Sequence, residues 1–224
     1  MNPFGFLKQA VFPSYLGVDI GTTSIKIVEV RQGSQLPEVV NYGILESSGH
    51  LVRANKVIQT STLKIFENEA TELLSLLLNE MKPTTTVAIA SLPVFSVFTT
   101  VIDLPEMADT ELQKAMAFQA RQYIPLPISE VVIDWLRIGE FEDEKGVKHN
   151  QVFLISVPQE QIRKYQNIFR GAGLKLEALE IESLSSARVL IGTDPAPTIV
   201  VDIGSRSTNI SLLENGQLKF NTQS

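Results

Sequence analysis

One ten-residue pattern is written twice in this chain, and the repeat limits the fold more than any other feature. VDIGTTSIKI begins at Val18, and VDIGSRSTNI begins at Val201. In both copies β-branched residues lead into Asp-x-Gly, which is typical of a strand that ends in a tight turn, and a second strand follows. The repeat therefore predicts that the same β-hairpin is built twice, once near each end of the chain.

The segments after the first copy have the periodicity of a mixed α/β domain. A third strand near Pro37–Leu45 is predicted to complete a meander with the first hairpin. Apolar residues recur at helical spacing from Leu63 to Met81, and Pro83 ends this predicted helix. A buried strand is predicted at 85–90, so this part of the chain forms a sheet with at least one helix.

The middle of the chain has its own alternation of strands and helices. A strand is predicted at 94–103, and a helix follows it with Asp109 as the N-cap. Two strands, at about 130–139 and 151–157, flank a charged segment that is most simply a solvated hairpin tip. Another helix is predicted after Pro158, so this segment reads as a small α+β unit.

The last part of the chain leads into the second copy of the hairpin. A strand is predicted at 174–182, and a short helix follows at 183–191. The second copy then repeats the order strand, turn, strand, turn, strand. The glycines at 171–173 follow a helix rather than a strand, and for this reason they do not fit a dinucleotide-binding motif.

Composition excludes several classes of function. The net charge is −6 and no dense Lys/Arg patch is present, so nucleic acid is not an expected partner. The chain has no cysteine, which rules out disulfides and thiolate metal sites, and its two histidines cannot form a zinc site unaided. No apolar run is long enough to span a bilayer and no signal peptide is present, so a cytoplasmic location is expected.

The doubled hairpin carries the only strong chemical signal. A single Asp-x-Gly-Thr has a structural explanation, because these residues favour turns. Two copies favour binding: each turn offers backbone N–H groups and hydroxyls to an anion, and each strand places a carboxylate just before the turn. If the hairpins face each other, phosphate would lie between the turns, and the carboxylates could hold a hydrated Mg²⁺.

The paired motifs resemble those of a known superfamily. GVDIGTTSIKIVEV is similar to the phosphate 1 motif of the actin and sugar-kinase superfamily, VVDIGSRSTNISLLENGQL to phosphate 2, and IESLSSARVL to the first connecting helix of bacterial actins. The opening NPFGFLK, together with LPVFSVFTTVIDLPEM and ELQKAMAFQARQYIPLPISEVVIDW, resembles the PilM family of type IV pilus assembly proteins more than the related FtsA.

The resemblance implies roles for particular residues. Asp19 and Asp202 would hold Mg²⁺ through water, and Asp202, as the catalytic residue, would orient an attacking water. Lys26 and Arg206 stay open: each either contacts phosphate or points to solvent. The positions that would contact ATP and its metal are Asp19, Gly21, Thr22, Thr23, Asp202, Gly204, Ser205 and Ser207.

The resemblance also implies a fold and a domain organisation. The expected fold class is α/β, an actin-like (ribonuclease H-like) domain with an inserted small α+β subdomain. Residues 1–91 and 180–224 would form the core of the first actin-like domain with both phosphate hairpins. Residues 92–179 would form the inserted subdomain. The second actin-like domain of the family is expected to be absent, which would leave the nucleotide cleft incomplete.

The function implied is that of a cytoplasmic actin-like adaptor of the pilus assembly platform. It would bind ATP and Mg²⁺ and the amino-terminal tail of PilN, contact other platform proteins, and reach the inner membrane only through its partner. Self-association is a further expectation, and any ATPase activity would be weak. The alternatives are an FtsA-like division protein and, more remotely, a phosphotransferase of the sugar or acetate kinase type.

Overall fold

The structure is a computed structural model that describes residues 14–33, 36–47, 67–205 and 207–224. The strands are β1 (Ser14–Ile20), β2 (Ser24–Gln32), β3 (Pro37–Glu46), β4 (Val87–Leu92), β5 (Phe98–Pro105), β6 (Val131–Glu142), β7 (Lys148–Pro158), β8 (Lys175–Ile181), β9 (Thr198–Ile203), β10 (Thr208–Glu214) and β11 (Gln217–Gln223). The helices are α1 (Glu67–Met81), α2 (Asp109–Gln119), α3 (Gln159–Gly171) and α4 (Glu182–Leu190). The start of the helix predicted from Leu63, as well as His50 and Arg206, lies outside the described residues.

The first sheet combines the first four strands, β1 to β4, with β8, which comes much later in the chain. Its order is β3-β2-β1-β4-β8, with β1 antiparallel to β2 and parallel to β4. The alternating residues of β1 and β2 bury one face, on which Leu16 and Ile25 are almost fully enclosed. Helix α1 lies against β3 and buries Leu73 and Leu74, two residues from its helically spaced apolar positions.

A second sheet contains only strands from the middle segment. Its order is β5-β7-β6, and both pairs are antiparallel. Leu112 and Met116 of α2 pack against one face of this sheet in a core with Leu154. The predicted N-cap is wrong, because Ala108 occupies that position and Asp109 is the first helical residue. The Asp109 carboxylate instead pairs with Arg137.

A third sheet contains the second copy of the repeat. Its order is β11-β10-β9, and α4 packs on β10 and β11 through Ala187, with Leu213 and Leu218 buried in the sheet. Both copies of the hairpin were predicted to lie in one domain. In the structure they belong to separate sheets, because within the described ranges β9, β10 and β11 pair with one another.

Contacts between residues divide the chain into two compact units. One unit joins residues 1–91 to 164–180, and the other joins 92–163 to 181–224. The domain boundaries expected from the sequence stay a prediction, and the division by contacts differs from them most in residues 181–224, which group with 92–163 and not with 1–91. Most of β8 lies within the expected insert of 92–179, yet it completes the first sheet beside β4.

Candidate functional site

Hairpin 1 is formed by β1, β2 and the turn between them. Asp19 lies opposite Lys26 in the antiparallel register, one step before the turn. The turn is closed by the Gly21 backbone N–H, which donates to the Ser24 carbonyl at 2.9 Å. A Cβ at Gly21 would lie 3.0 Å from the same carbonyl oxygen, closer than ordinary contact. Glycine is therefore favoured at this position.

Hairpin 2 is formed by β9, β10 and their turn, and it repeats this geometry. Asp202 lies opposite Asn209, as Asp19 lies opposite Lys26. The Gly204 N–H donates to the Ser207 carbonyl at 3.0 Å, and a Cβ at Gly204 would lie 3.1 Å from that oxygen. The repeat in the sequence is therefore also a repeat of register and of turn geometry.

Asp19 is held by two side chains. Its Oδ1 accepts from the Ser91 hydroxyl at 3.0 Å, and its Oδ2 accepts from the Lys26 ammonium at 3.2 Å. Ser91 is within reach because β4 runs parallel to β1, with Ala90 beside Val18. The side chains of Asp19 and Lys26 are 42% and 55% exposed, so solvent screens the ion pair and it holds the carboxylate only weakly.

The turn of hairpin 1 is also tied to the neighbouring strand. The Ser47 backbone N–H, just past the end of β3, donates to the Thr23 carbonyl at 2.8 Å. Thr22 is half-buried, whereas Thr23 is exposed. The turn thus presents hydroxyls at the end of the sheet from a backbone that is fixed on both sides.

Asp202 has different surroundings, although its position in the hairpin is the same. Asp202 is exposed, and the neighbouring Asn209 is only 6% exposed. The Asn209 amide donates to Glu182 Oε1 at 2.8 Å, and the Val94 backbone N–H donates to the same oxygen at 3.1 Å. Since a carboxylate can only accept, the Asn209 NH₂ must face Glu182. The buried Asn209 Oδ1 is left without a partner in the described part of the chain.

The residues of each hairpin fit a phosphate better than a metal cage. No cluster of three or more His, Asp or Glu that could hold a metal occurs in the described ranges. Hydroxyls surround each turn, with Ser205 and Ser207 in hairpin 2, and Lys26 adds a cation to hairpin 1. A hydrated Mg²⁺ needs few protein ligands, and a carboxylate such as Asp19 or Asp202 is a suitable type of ligand for it. The phosphate and metal contacts of the eight positions stay predictions.

Three residues that take part in these contacts were not expected from the sequence. Ser91, Glu182 and Asn209 were missed, whereas Lys26 was left open and is now paired with Asp19. Asn209 had a sequence signal, because it follows Asp202 at the same spacing as Lys26 follows Asp19. No local pattern marks Ser91 or Glu182, since their partners are distant in sequence.

The histidine in the described residues belongs to a hairpin tip. The His149 ring stacks on Phe141 with centroids 5.1 Å apart, and its Nε2 lies 3.2 Å from Asp143 Oδ2. Asp143 Oδ1 accepts from the Lys145 and Val147 backbone N–H groups, both at 2.9 Å. The Val147 hydrogen bond is the main cause that lowers the pKa of Asp143, with help from His149. These contacts hold a turn, as expected for a solvated tip.

Comparison with known proteins identifies the family. Residues 17–224 match the family described as type IV pilus assembly protein PilM. The chain belongs to the PilM family. Among solved structures, the chain is similar to a PilM–PilN type IV pilus biogenesis complex with a TM-score of 0.74 and 24% identity, over 93% of this chain. It is also similar to the cytoplasmic domain of EpsL, an inner-membrane component of the type II secretion system of Vibrio cholerae.

These comparisons show the family and the fold. The EpsL match has a TM-score of 0.59 and 11% identity, and it covers 95% of this chain and 71% of that one. The expected α/β, actin-like fold class is confirmed, and the chain is an actin-like member of a pilus assembly family. It spans 60% of the matched chain in the pilus complex. Among the described helices, none is long and apolar enough to cross a membrane.

Proposed function

We propose that this PilM-family chain is a nucleotide-responsive adaptor of the type IV pilus assembly platform that binds the amino-terminal tail of PilN. The observation that carries the proposal is the pair of hairpins with one register and one turn geometry, ending at Asp19 and Asp202. Family membership supports the pilus role, and a similar solved structure is named as a PilM–PilN complex.

The nucleotide part of the proposal assigns ATP phosphates to the two turns. Hairpin 1 would contribute Gly21, Thr22 and Thr23, and hairpin 2 would contribute Gly204 with its neighbouring serines Ser205 and Ser207. Bound Mg²⁺ would neutralise phosphate charge, and Asp19 and Asp202 would orient its water ligands. The buried, unpartnered Oδ1 of Asn209 is a further acceptor beside Asp202 that could hold a water.

In the adaptor role, the nucleotide acts on the peptide site by favouring one conformation of the protein over another. A nucleotide changes the affinity for a peptide only if it binds one arrangement of the protein better than another. The PilN tail would bind beside the inserted subdomain, and ATP would change its affinity through this preference. The chain would then work on the cytoplasmic side of the inner membrane and reach the membrane through PilN.

An enzymatic role is supported less well. A kinase needs a base beside the γ-phosphate, and the carboxylate of hairpin 1 is already paired with Lys26 and Ser91. Hydrolysis of ATP would therefore be slow, with Asp202 as the residue that orients water. No observation described above supports an FtsA-like division role.

The proposal is tested with a fluorescent peptide of the PilN amino-terminal tail, titrated with this chain with and without Mg-ATP. We expect saturable binding, with an affinity that Mg-ATP changes by about fivefold or more, as in typical coupled sites. A scrambled peptide is the control, and Asp202→Asn should keep peptide binding while losing the nucleotide effect. Absence of saturable binding would overturn the adaptor role, and binding that ignores Mg-ATP would overturn the nucleotide response.

A further inference from the structure

Strand β6 contains a bulge that leaves one residue without an opposite partner. Arg137 lies opposite Val152 and Gly139 lies opposite Gln151, so Ile138 is the extra residue. A bulge interrupts the ladder of backbone hydrogen bonds at the extra residue. Ile138 is 3% exposed, so a carbonyl freed here needs a partner within the protein.

The partner is a lysine from another sheet. The Lys219 ammonium, on β11, donates to the Ile138 carbonyl oxygen, and it also lies 3.4 Å from Gln151 Oε1. Both acceptors are uncharged oxygens, and Lys219 is half-buried. A charged donor makes stronger hydrogen bonds than a neutral one, particularly where water is partly excluded.

Gly139 provides the room for this contact. A Cβ at Gly139 would lie 2.8 Å from the Lys219 ammonium nitrogen, which is too close for an ordinary contact. The bulge, the glycine and the lysine therefore meet at one point, although they come from two different sheets. Strand β11 also contacts β5, so the lysine lies within a larger area of contact between these sheets.

Lys219 is directly connected to hairpin 2 through its strand. β11 pairs with β10, where Leu218 lies opposite Leu213 and Phe220 lies opposite Leu212. β10 is also the second strand of hairpin 2. Lys219 itself is the extra residue of a bulge in this ladder, so the pairs on either side of it connect hairpin 2 to the lysine.

We propose that Lys219 is a positioning residue that fastens the sheet of hairpin 2 to the β5-β7-β6 sheet, so that the two sheets respond to a ligand as one body. In the context of the proposed function, on which this part rests, Lys219 transmits the effect of the nucleotide from hairpin 2 to the subdomain beside which the PilN tail binds. Gly139 is the matching position that allows the contact.

The contact itself is tested by native-state hydrogen exchange on the whole chain. The variants are Lys219→Met, which removes the donor, and Gly139→Ala, which displaces the ammonium but keeps its charge. We expect both to raise the exchange rate at residues 138–140 and 218–220 by roughly tenfold, the effect of losing one charged hydrogen bond. Residues of α2 should keep their rates, and the double variant should add little to either single one.

A matched control is Lys175→Met, which removes an exposed strand lysine that pairs with Glu177 at 2.7 Å. It should leave exchange at residues 138–140 unchanged. Parent-like exchange in Lys219→Met would overturn the proposal. A uniform increase over the whole chain would also overturn it, because it would show a general loss of stability and no local link.

A second measurement separates this inference from the proposed function. PilN-tail affinity is measured with and without Mg-ATP for the parent chain and for Lys219→Met. We expect the variant to bind ATP and the peptide as the parent does, while the effect of ATP on peptide affinity falls severalfold. If the parent shows no such effect, the proposed function and the transmission role are overturned together, and hydrogen exchange alone decides the link between the sheets.

Discussion

Asp19 and Asp202 occupy the same place in two equal hairpins, yet their neighbours differ. Asp19 faces a lysine and is screened by solvent, whereas Asp202 lies beside an amide whose NH₂ group is committed to Glu182. A cation at one position and a buried amide at the other give the two hairpins different chemistry. Hairpin 1 carries an ion pair, and hairpin 2 offers an unpartnered acceptor that suits water.

At the residue scale, Asn209→Asp tests the Glu182 contact. The new carboxylate would lie against Glu182 Oε1, where the amide nitrogen is now 2.8 Å away. Two carboxylates in contact repel each other unless one is protonated. We expect the variant to lose about 2 kcal/mol of unfolding free energy at pH 7 and to regain part of it near pH 4. Urea unfolding at both pH values measures this loss.

The control for that variant is the double change Asn209→Asp with Glu182→Gln, which restores a donor opposite the new acid. The double variant should recover most of the stability at pH 7. Equal losses for the single variant at both pH values would contradict the repulsion that we describe. Asn209 would then contribute only through packing.

At the scale of elements, the tip of the β6–β7 hairpin has a defined dependence on pH. The Val147 N–H, His149 and the Lys145 N–H favour the charged form of Asp143 and lower its pKa below the ordinary 3.8. A lowered pKa in the folded state means stabilisation that is complete above about pH 3.8 and is lost as the pH falls through the folded value. The tip therefore weakens in acid.

Asp143→Asn removes the charge but keeps an oxygen that can accept from the turn. We expect the variant to be less stable than the parent at pH 6, and the difference to shrink as the pH falls below 3.8. Thermal unfolding followed by circular dichroism between pH 6 and pH 2.5 measures this difference. A difference that stays constant over the range would show that charge plays no part in the turn.

The elements also show which features of this fold can be read from a sequence. Both hairpins, helix α3 and the middle α+β unit were predicted, because periodicity and turn residues are local signals. The N-cap at Asp109 was wrong, since the helix begins one residue earlier than predicted and the Asp109 carboxylate pairs with Arg137. The assignment of both hairpins to one domain also differs from the sheets, because strand pairing depends on distant partners.

The candidate site was predictable to the same extent. The Asp-x-Gly turns were located correctly in the sequence, and their equal geometry follows from their equal residues. The Ser91 contact to Asp19 and the Glu182 contact to Asn209 join residues far apart along the chain. Such contacts depend on which strands and helices become neighbours, and no pattern within one segment records that choice.

At the scale of the whole molecule, the sheet of hairpin 2 leaves one face apolar and exposed. Its side chains share this face because Ile210 lies opposite Val201, and Leu212 lies opposite both Ile199 and Phe220. Exposed apolar patches promote association. The exposed members are Ile199, Val201, Ile203, Ile210, Leu212 and Phe220.

We expect this chain to associate as its concentration rises, and Ile203→Lys to shift association to higher concentration. Ile203 is 79% exposed, so the lysine can be solvated without disturbing the fold. Light scattering over a dilution series measures the change. The control is Val189→Lys, since Val189 is 81% exposed on α4, outside this sheet. If both variants shift association equally, the cause would be the added positive charge and not this apolar face.

The equal register and turn of the two hairpins make them exchangeable modules. A loop can be transplanted between two scaffolds only when the strand ends that receive it have the same spacing and pairing, and here one chain provides both scaffolds. Residues 20–25 and 203–208 could therefore be swapped without re-engineering the flanking strands. The seventh position after each aspartate must stay where it is, because Lys26 and Asn209 are adapted to their own surroundings. Chimeras of this kind would allow the chemistry of each turn to be assayed between the strands of the other hairpin.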